Sequence, residues 1–181
     1  MKITPLAIPE VLLIEPEVFS DNRGLFFESF NQRVFEAALG RSVAFVQDNH
    51  SQSSRGVLRG LHYQINRPQG KLIRTIAGEV FDVAVDIRRS SPSFGKSVAA
   101  TLTAENRKQL WIPEGFAHGF AVLSESAEVL YKTTDYWAHQ HERCILWSDP
   151  ELSIAWPMVG DTILSNRDRQ APPLSAAETF A

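Results

Sequence analysis

Five histidines carry most of the acid–base and metal-binding capacity of this chain: His50, His62, His118, His139 and His141. His139 and His141 follow a polar turn in AHQHE and read as solvated loop residues, while His50 stands near a strand end. His62, in GVLRGLHYQ (56–64), and His118, in PEGFAHGF (113–120), are set into apolar runs beside glycines. A histidine in an apolar strand is ordinarily a core residue whose ring nitrogens find main-chain partners. Two of them, each beside polar groups that a core does not need, open two chemical options. One is a metal site, since neutral imidazoles bind zinc, iron, nickel or copper, and three protein ligands leave a coordination position open. His50, His62 and His118 could form it, but nothing in their spacing demands it. The position two after His62 is Gln64, a poor ligand, and Glu79 is far downstream. The other option is proton transfer by a neutral imidazole whose far nitrogen is held by a carboxylate. Asp168, in SNRDRQAPP (165–173), is one candidate partner among several.

Proton transfer also needs an acid and a cation. Tyr131, in EVLYKTTDYW (128–137), can donate a proton, and under strict alternation it shares a strand face with Val129, Thr133 and Asp135. Lys71 follows a Gln-Gly turn, where its ammonium could neutralise a developing oxyanion. Taken singly, each is more simply an amphipathic strand tyrosine and an exposed lysine. Arg23, Arg59 and Arg67 stand near turns or strand ends, and the planar guanidinium fork suits phosphate. No P-loop or Rossmann fingerprint is present, so a nucleotide would have to be held by side chains.

The elements that must position these groups are mostly strands. In EVFDVAVDI (79–87), Phe81, Val83, Val85 and Ile87 fall on one face and Asp82 and Asp86 on the other, the pattern of a strand with one buried face. Further strands are expected at 11–15, 24–30, 43–49, 56–64, 71–77, 96–103, 108–112, 119–124, 127–137 and 142–147. Turn clusters such as Asp21-Asn22-Arg23-Gly24 and Pro113-Glu114-Gly115 separate them. NQRVFEAALG (31–40) reads as a helix capped by Asn31 and stopped by Gly40, with a second short helical piece near SAAETF (175–180). Many short strands with few helices imply a mainly β fold, most economically a jelly-roll barrel. Four tryptophans and eleven phenylalanines can fill it, with a surplus to seal a dimer interface. In an unbroken strand Arg59 and His62 point to opposite faces, so a shared pocket requires a bulge or bend at Gly60. Otherwise Arg59 serves a different surface, such as a pocket shared with a second subunit.

Length and composition set the outer limits. The 181 residues suit a single domain over 1–181, with N-terminal strands and a C-terminal segment packed on a jelly roll. A net charge of −3 gives no general attraction to nucleic acid or anionic membrane. Arginine–aromatic interleaving is too sparse for a nucleic-acid surface. The single cysteine, Cys144, excludes an internal disulfide framework and thiolate metal clusters. No apolar stretch reaches membrane-span length and the start lacks a signal-peptide layout, so a cytoplasmic location is expected.

VFSDNRGLFFESF, FVQDNHSQS, GVLRGLHYQ, QGKLIRTIAGEVFDVAVDIRRSSPSFG, LWIPEGFAHGF, LYKTTDYW, ILWSDP and SNRDRQAP occur in this order. Together they closely resemble the dTDP-4-dehydrorhamnose 3,5-epimerase family, over residues 2–173. The resemblance implies a cupin-type jelly roll, a dTDP-sugar substrate, a homodimer, and chemistry without a metal or other cofactor. It implies His62 as general base, Asp168 as its orienting partner, Tyr131 as general acid and Lys71 as stabiliser of an enolate. His118 resembles the family's second pocket histidine, and Arg23 and Arg59 its diphosphate contacts. Glu28, Gln47 and Asn49 match positions facing the nucleoside or sugar, Phe26 one that stacks on thymine, and Glu142 another ligand contact. Arg167 stands where many members have lysine. The reaction implied is epimerisation of dTDP-4-dehydro-6-deoxy-D-glucose at C3 and C5, giving dTDP-4-dehydro-L-rhamnose. The alternatives are a single-centre epimerase or ketoisomerase of a related sugar nucleotide, a metal-dependent cupin, and a non-catalytic sugar-binding module.

Overall fold

The structure, a computed structural model, describes residues 1–157 and 160–181. Thirteen strands run in chain order: β1 (Lys2–Pro5), β2 (Leu12–Glu15), β3 (Val18–Asp21), β4 (Gly24–Phe27), β5 (Gln47–Ser54), β6 (Leu58–Gln64), β7 (Lys71–Ala77), β8 (Glu79–Asp86), β9 (Ser97–Thr103), β10 (Gln109–Ile112), β11 (Phe116–Val122), β12 (Ser126–Thr133) and β13 (Glu142–Cys144). Helix α1 (Gln32–Leu39) lies between β4 and β5, and the short α2 (Asn166–Arg169) near the C-terminus. Two antiparallel sheets, β1-β2-β10-β7-β12-β5 and β13-β6-β11-β8-β9, face each other as a cupin-type jelly-roll barrel.

Each sheet buries its inner face and much of its outer face, and this decides where polar residues go. Between the sheets lies an apolar cluster including Ile73, Val80, Ala84, Leu110, Phe116, Phe120 and Val129. On the outer face of the first sheet, Leu12, Ile14, Leu72 and Trp111 are covered by α1 through Phe35 and by the neighbouring Phe30 and Phe45. On the outer face of the second, Val83, Val85, Ile87 and Ala117 pack under Leu152, Leu174 and Ala177 of the C-terminal segment. The apolar side of 79–87 is therefore buried as expected, but beneath the C-terminal segment.

Its other side is not solvated, contrary to the one-buried-face pattern. Asp82 and Asp86 are fully buried on the barrel side beside Val80 and Ala84. A buried carboxylate must be hydrogen-bonded. Asp86 accepts from Arg88, Ser91 and Ser93. Burial pushes its carboxyl up, but those donors outweigh it and hold it at about 2.

Other differences have local causes. The helix forms as read: Asn31 Oδ1 accepts from the Val34 N–H at 3.2 Å and Gly40 closes the end at φ +66°. The strand expected at 43–49 begins at Gln47 instead, because Val43 and Phe45 pack in the layer under α1. The strand expected at 127–137 stops at Thr133, and that at 142–147 stops at Cys144. The helical piece near the C-terminus is one 3-10 turn, Leu174–Ala176. Among the described residues β3 and β4 pair only with each other, forming a hairpin apart from both sheets.

Candidate active site

A cavity of about 550 Å³ opens between the two sheets beyond the apolar core. From the second sheet, β6 supplies Arg59 and His62 and β11 supplies His118; from the first, β5 supplies Gln47 and Asn49, β7 Lys71 and β12 Tyr131. Arg59 and His62 thus share one pocket. The break in alternation lies at Gly60, which has φ +131°, and the β6–β11 register shifts between His118 and Phe120 opposite it. A Cβ at Gly60 would stand 2.5 Å from Gly119 Cα, so only glycine permits this approach. The Gly60–Leu61 peptide is cis.

His62 Nε2 lies 2.5 Å from Asp168 Oδ1. Asp168 is 2 % exposed and sits in the first turn of α2, where Ser165 Oγ accepts from its N–H. Burial pushes the Asp168 carboxyl up. The His62 hydrogen bond and charge, with Ser165 and the Gly60 main chain, outweigh that and hold it below the usual range. A carboxylate accepting from Nε2–H leaves Nδ1 of neutral His62 as the free proton acceptor.

A second histidine–carboxylate pair lies beside the first, because His118 is the direct cross-strand partner of His62. His118 Nε2 is 3.0 and 2.9 Å from the two oxygens of Asp82, and both side chains are buried. Burial pushes the imidazole below its ordinary value in spite of Asp82. Sequence reading placed Asp82 on a solvated face and missed it. The available signal was an acidic residue alternating with Val80 and Ala84.

Lys71 is buried, with Nζ donating to the His62 carbonyl at 3.3 Å. Burial lowers its ammonium to about 8, and the charges of Asp82 and Glu142 oppose the shift only in part. Tyr131 enters from the sheet opposite His62. Burial raises its phenol, Arg59 pulls it down and Glu142 pushes it up. The arrangement therefore holds an oriented base, a protonated phenol on the facing sheet, and a poorly solvated cation.

The remaining expected residues fall into two groups. Gln47, Asn49, Arg59 and Glu142 line the cavity. Gln47 donates to Asn49 Oδ1 at 2.9 Å, and the Arg59 guanidinium donates to Ser53 Oγ at 3.0 Å. Arg167 stands behind the wall and pairs with Glu142. Arg23, Phe26 and Glu28 do not reach this cavity. Arg23 and Phe26 sit on the β3–β4 hairpin, where Arg23 pairs with Asp21 at 2.6 Å and Phe26 is 71 % exposed. Glu28 follows the hairpin and accepts from Asn31 at 3.1 Å.

His50 lies on the opposite face of β5 from Asn49 and meets Glu128 at 2.9 Å. It does not converge with His62 and His118. Among the described residues no group of three His, Cys, Asp or Glu side chains is placed to hold a metal ion. Sequence reading also missed the aromatic rim, Tyr136 and Trp137, which follows β12 in a segment read as more strand.

The family model described as dTDP-4-dehydrorhamnose 3,5-epimerase matches residues 5–176. A Pseudomonas aeruginosa dTDP-4-dehydrorhamnose 3,5-epimerase is 64% identical, over 99% of this chain and 99% of that protein. A crystal structure of a dTDP-6-deoxy-D-glucose-3,5-epimerase from Legionella pneumophila, in complex with dTDP-4-keto-L-rhamnose, superposes with a TM-score of 0.95. It is 50% identical and covers 98% of this chain and 94% of that one. A 3'-monoepimerase from Streptomyces bikiniensis, in complex with dTDP-quinovose, superposes with a TM-score of 0.90 at 35% identity, covering 95% and 87% of the two chains.

Proposed function

The chain belongs to the dTDP-4-dehydrorhamnose 3,5-epimerase family, and from that premise we propose how its cavity inverts C3 and C5 of dTDP-4-dehydro-6-deoxy-D-glucose to give dTDP-4-dehydro-L-rhamnose. Both C–H bonds flank the C4 ketone, so removal of either proton gives an enolate. His62 Nδ1 takes the proton, and the Asp168 carboxylate stabilises the imidazolium that forms. The electron pair moves onto O4, where the Lys71 ammonium offsets the negative charge in a water-poor site. Tyr131, whose raised phenol keeps its proton, returns a proton to the carbon from the opposite face. Once His62 has released its proton to solvent in the open cavity and the Tyr131 phenolate has regained one, the same sequence at the second carbon completes the double inversion. The observation that carries this reading is the placement of His62, backed by Asp168 of α2, and Tyr131 on facing sheets around one cavity that also holds Lys71.

His118, held by Asp82, presents its ring beside His62, and Arg59, Gln47, Asn49 and Glu142 offer polar contacts to the sugar nucleotide. Arg167 acts through Glu142. Arg59 and Lys71 are the only arginine or lysine side chains among the described residues that line the cavity, and Lys71 is engaged with O4, which leaves Arg59 alone for the diphosphate. The β3–β4 hairpin carries Arg23 among exposed Phe19, Leu25 and Phe26, with no partner sheet of its own. A homodimer in which this hairpin crosses to the other copy supplies both the missing cation and a cover for those side chains. Phe26 then stacks on the thymine, and Glu28 approaches the nucleoside.

The likeness to a 3'-monoepimerase keeps one rival specific: inversion at a single centre. Turnover in D2O separates the two, with deuterium at both C3 and C5 expected and deuterium at only one carbon sinking the double inversion. The division of roles is tested in the same assay. His62→Ala should abolish exchange at both carbons, whereas Tyr131→Phe should retain exchange without completing inversion. Equal loss of exchange in both variants would refute that division.

A further inference from the structure

The cavity rim is built from a segment without strand pairing, residues 134–138, which carries Tyr136 and Trp137. These aromatics are 55 % and 57 % exposed, so side-chain burial does not hold them. Besides main-chain bonds at its two ends, from the Thr134 N–H to the Gly70 carbonyl and from the His141 N–H to the Ala138 carbonyl, its main chain is held by side chains. The Trp137 N–H donates to Gln47 Oε1 at 3.0 Å, the Ala138 N–H to Gln64 Oε1 at 2.7 Å, and Gln69 Nε2 to the Asp135 carbonyl at 2.8 Å. Gln64 Nε2 donates to the Tyr136 carbonyl at 3.2 Å and to the Arg67 carbonyl at 2.8 Å. On the outside, Arg67 grips Asp135 through two hydrogen bonds.

Gln64 is central to this arrangement. It is 3 % exposed, lies on β6 two residues after His62, and ties two loops to the strand that carries that histidine. A carboxamide has two N–H donors, and both are already engaged with main-chain carbonyls. Gln64 therefore has no donor left for a ligand, although it borders the cavity.

We propose that Gln64 is a positioning residue whose buried amide fixes the Tyr136–Trp137 segment as a wall of the cavity, and so sets the affinity for the sugar nucleotide rather than the rate of proton transfer. This rests on the cavity being the epimerase site. When the wall is populated only part of the time, apparent affinity falls by that fraction, while a bound substrate still meets an intact base, acid and cation.

The test is Gln64→Met, which keeps the length of the side chain and removes its hydrogen bonds, with Gln64→Asn as a milder variant should the first fail to fold. Hydrogen exchange of the segment 134–138 should accelerate, KM should rise by roughly tenfold, and kcat should stay within about threefold of the parent protein. Gln64→Asn should show the same signs at smaller size. Unchanged exchange, faster exchange with an unchanged KM, or a fall in kcat at constant KM would each overturn the proposal. A parent protein that does not turn over the 4-keto sugar would sink the epimerase reading, and the affinity claim with it. The exchange data would still report whether the amide holds the segment.

Discussion

Replacing Lys71 by methionine should stabilise the protein while stopping turnover. Burial lowers the Lys71 ammonium from 10.5 to about 8. That difference, 10.5 − 8, means that holding the charge in the fold at neutral pH costs roughly 3 kcal/mol. Methionine removes this cost but forfeits the hydrogen bond to the His62 carbonyl, worth about 1 kcal/mol. The net gain is about 2 kcal/mol, or an increase in Tm of roughly 4–8 °C. Because the folded lysine titrates below the unfolded one, the burden is fully present below pH 8 and is relieved as pH rises toward 10.5. Urea melts of both proteins at pH 7 and pH 10 measure it, with a clear gap at pH 7 that shrinks by pH 10. The same titration should give kcat/KM of the parent an alkaline limb near pH 8, where the cation proposed to meet O4 is lost. A variant less stable than its parent at pH 7, or a gap that ignores pH, would refute the reasoning.

Asp168→Asn should lower kcat by roughly 100-fold or more with little change in folding, because the amide no longer fixes the His62 tautomer or balances its charge; steady-state kinetics with a circular dichroism control reads this. Asp86, held at about 2 against 3.8 unfolded, should contribute about 2 kcal/mol that is present above pH 4 and lost as pH falls toward 2. Asp86→Asn should therefore be less stable at pH 7 and lose less on acidification in the same melts. If hairpins cross between copies, Arg23→Ala and His62→Ala proteins, each poorly active, should regain activity when unfolded together and refolded as a mixture. The mixed dimer contains one cavity with both His62 and the other copy's Arg23. No gain over the separate proteins would count against the shared site.

Elements whose apolar residues face a covering layer were legible in the sequence. The helix at Gln32–Leu39 carries its caps in Asn31 and Gly40, and the alternation around Val83 and Val85 marks a buried face. What escaped is the polar lining of the barrel. β5 turns Ser51 and Ser53 inward beside Asn49, which only the motif resemblance named, and an alternation of polar with polar leaves no periodic signal. Asp82 escaped for a different reason, since its strand does alternate and only the burial of its second face was unmarked. A carboxylate inside a barrel looks like one on a surface until its partner His118, 36 residues away, is placed. The rim segment was hidden differently, since Tyr136 and Trp137 are good strand residues whose backbone is held by amides from distant parts of the chain. The motif resemblance pointed to His62, Lys71, His118 and Tyr131, and these do meet in one cavity. It could not show that Arg23 and Phe26 lie on a hairpin outside that cavity.

The pairing of His62 with Asp168 joins residues 106 positions apart. The segment that brings the aspartate also lids the outer face of β8 and β11. During synthesis the strands that shape the cavity emerge first, and a chain halted after β13 already encodes every cavity residue contributed by its strands. It nonetheless lacks the carboxylate that sets the proton on its histidine. A chain lacking that final stretch would leave the apolar outer face of β8 and β11 uncovered.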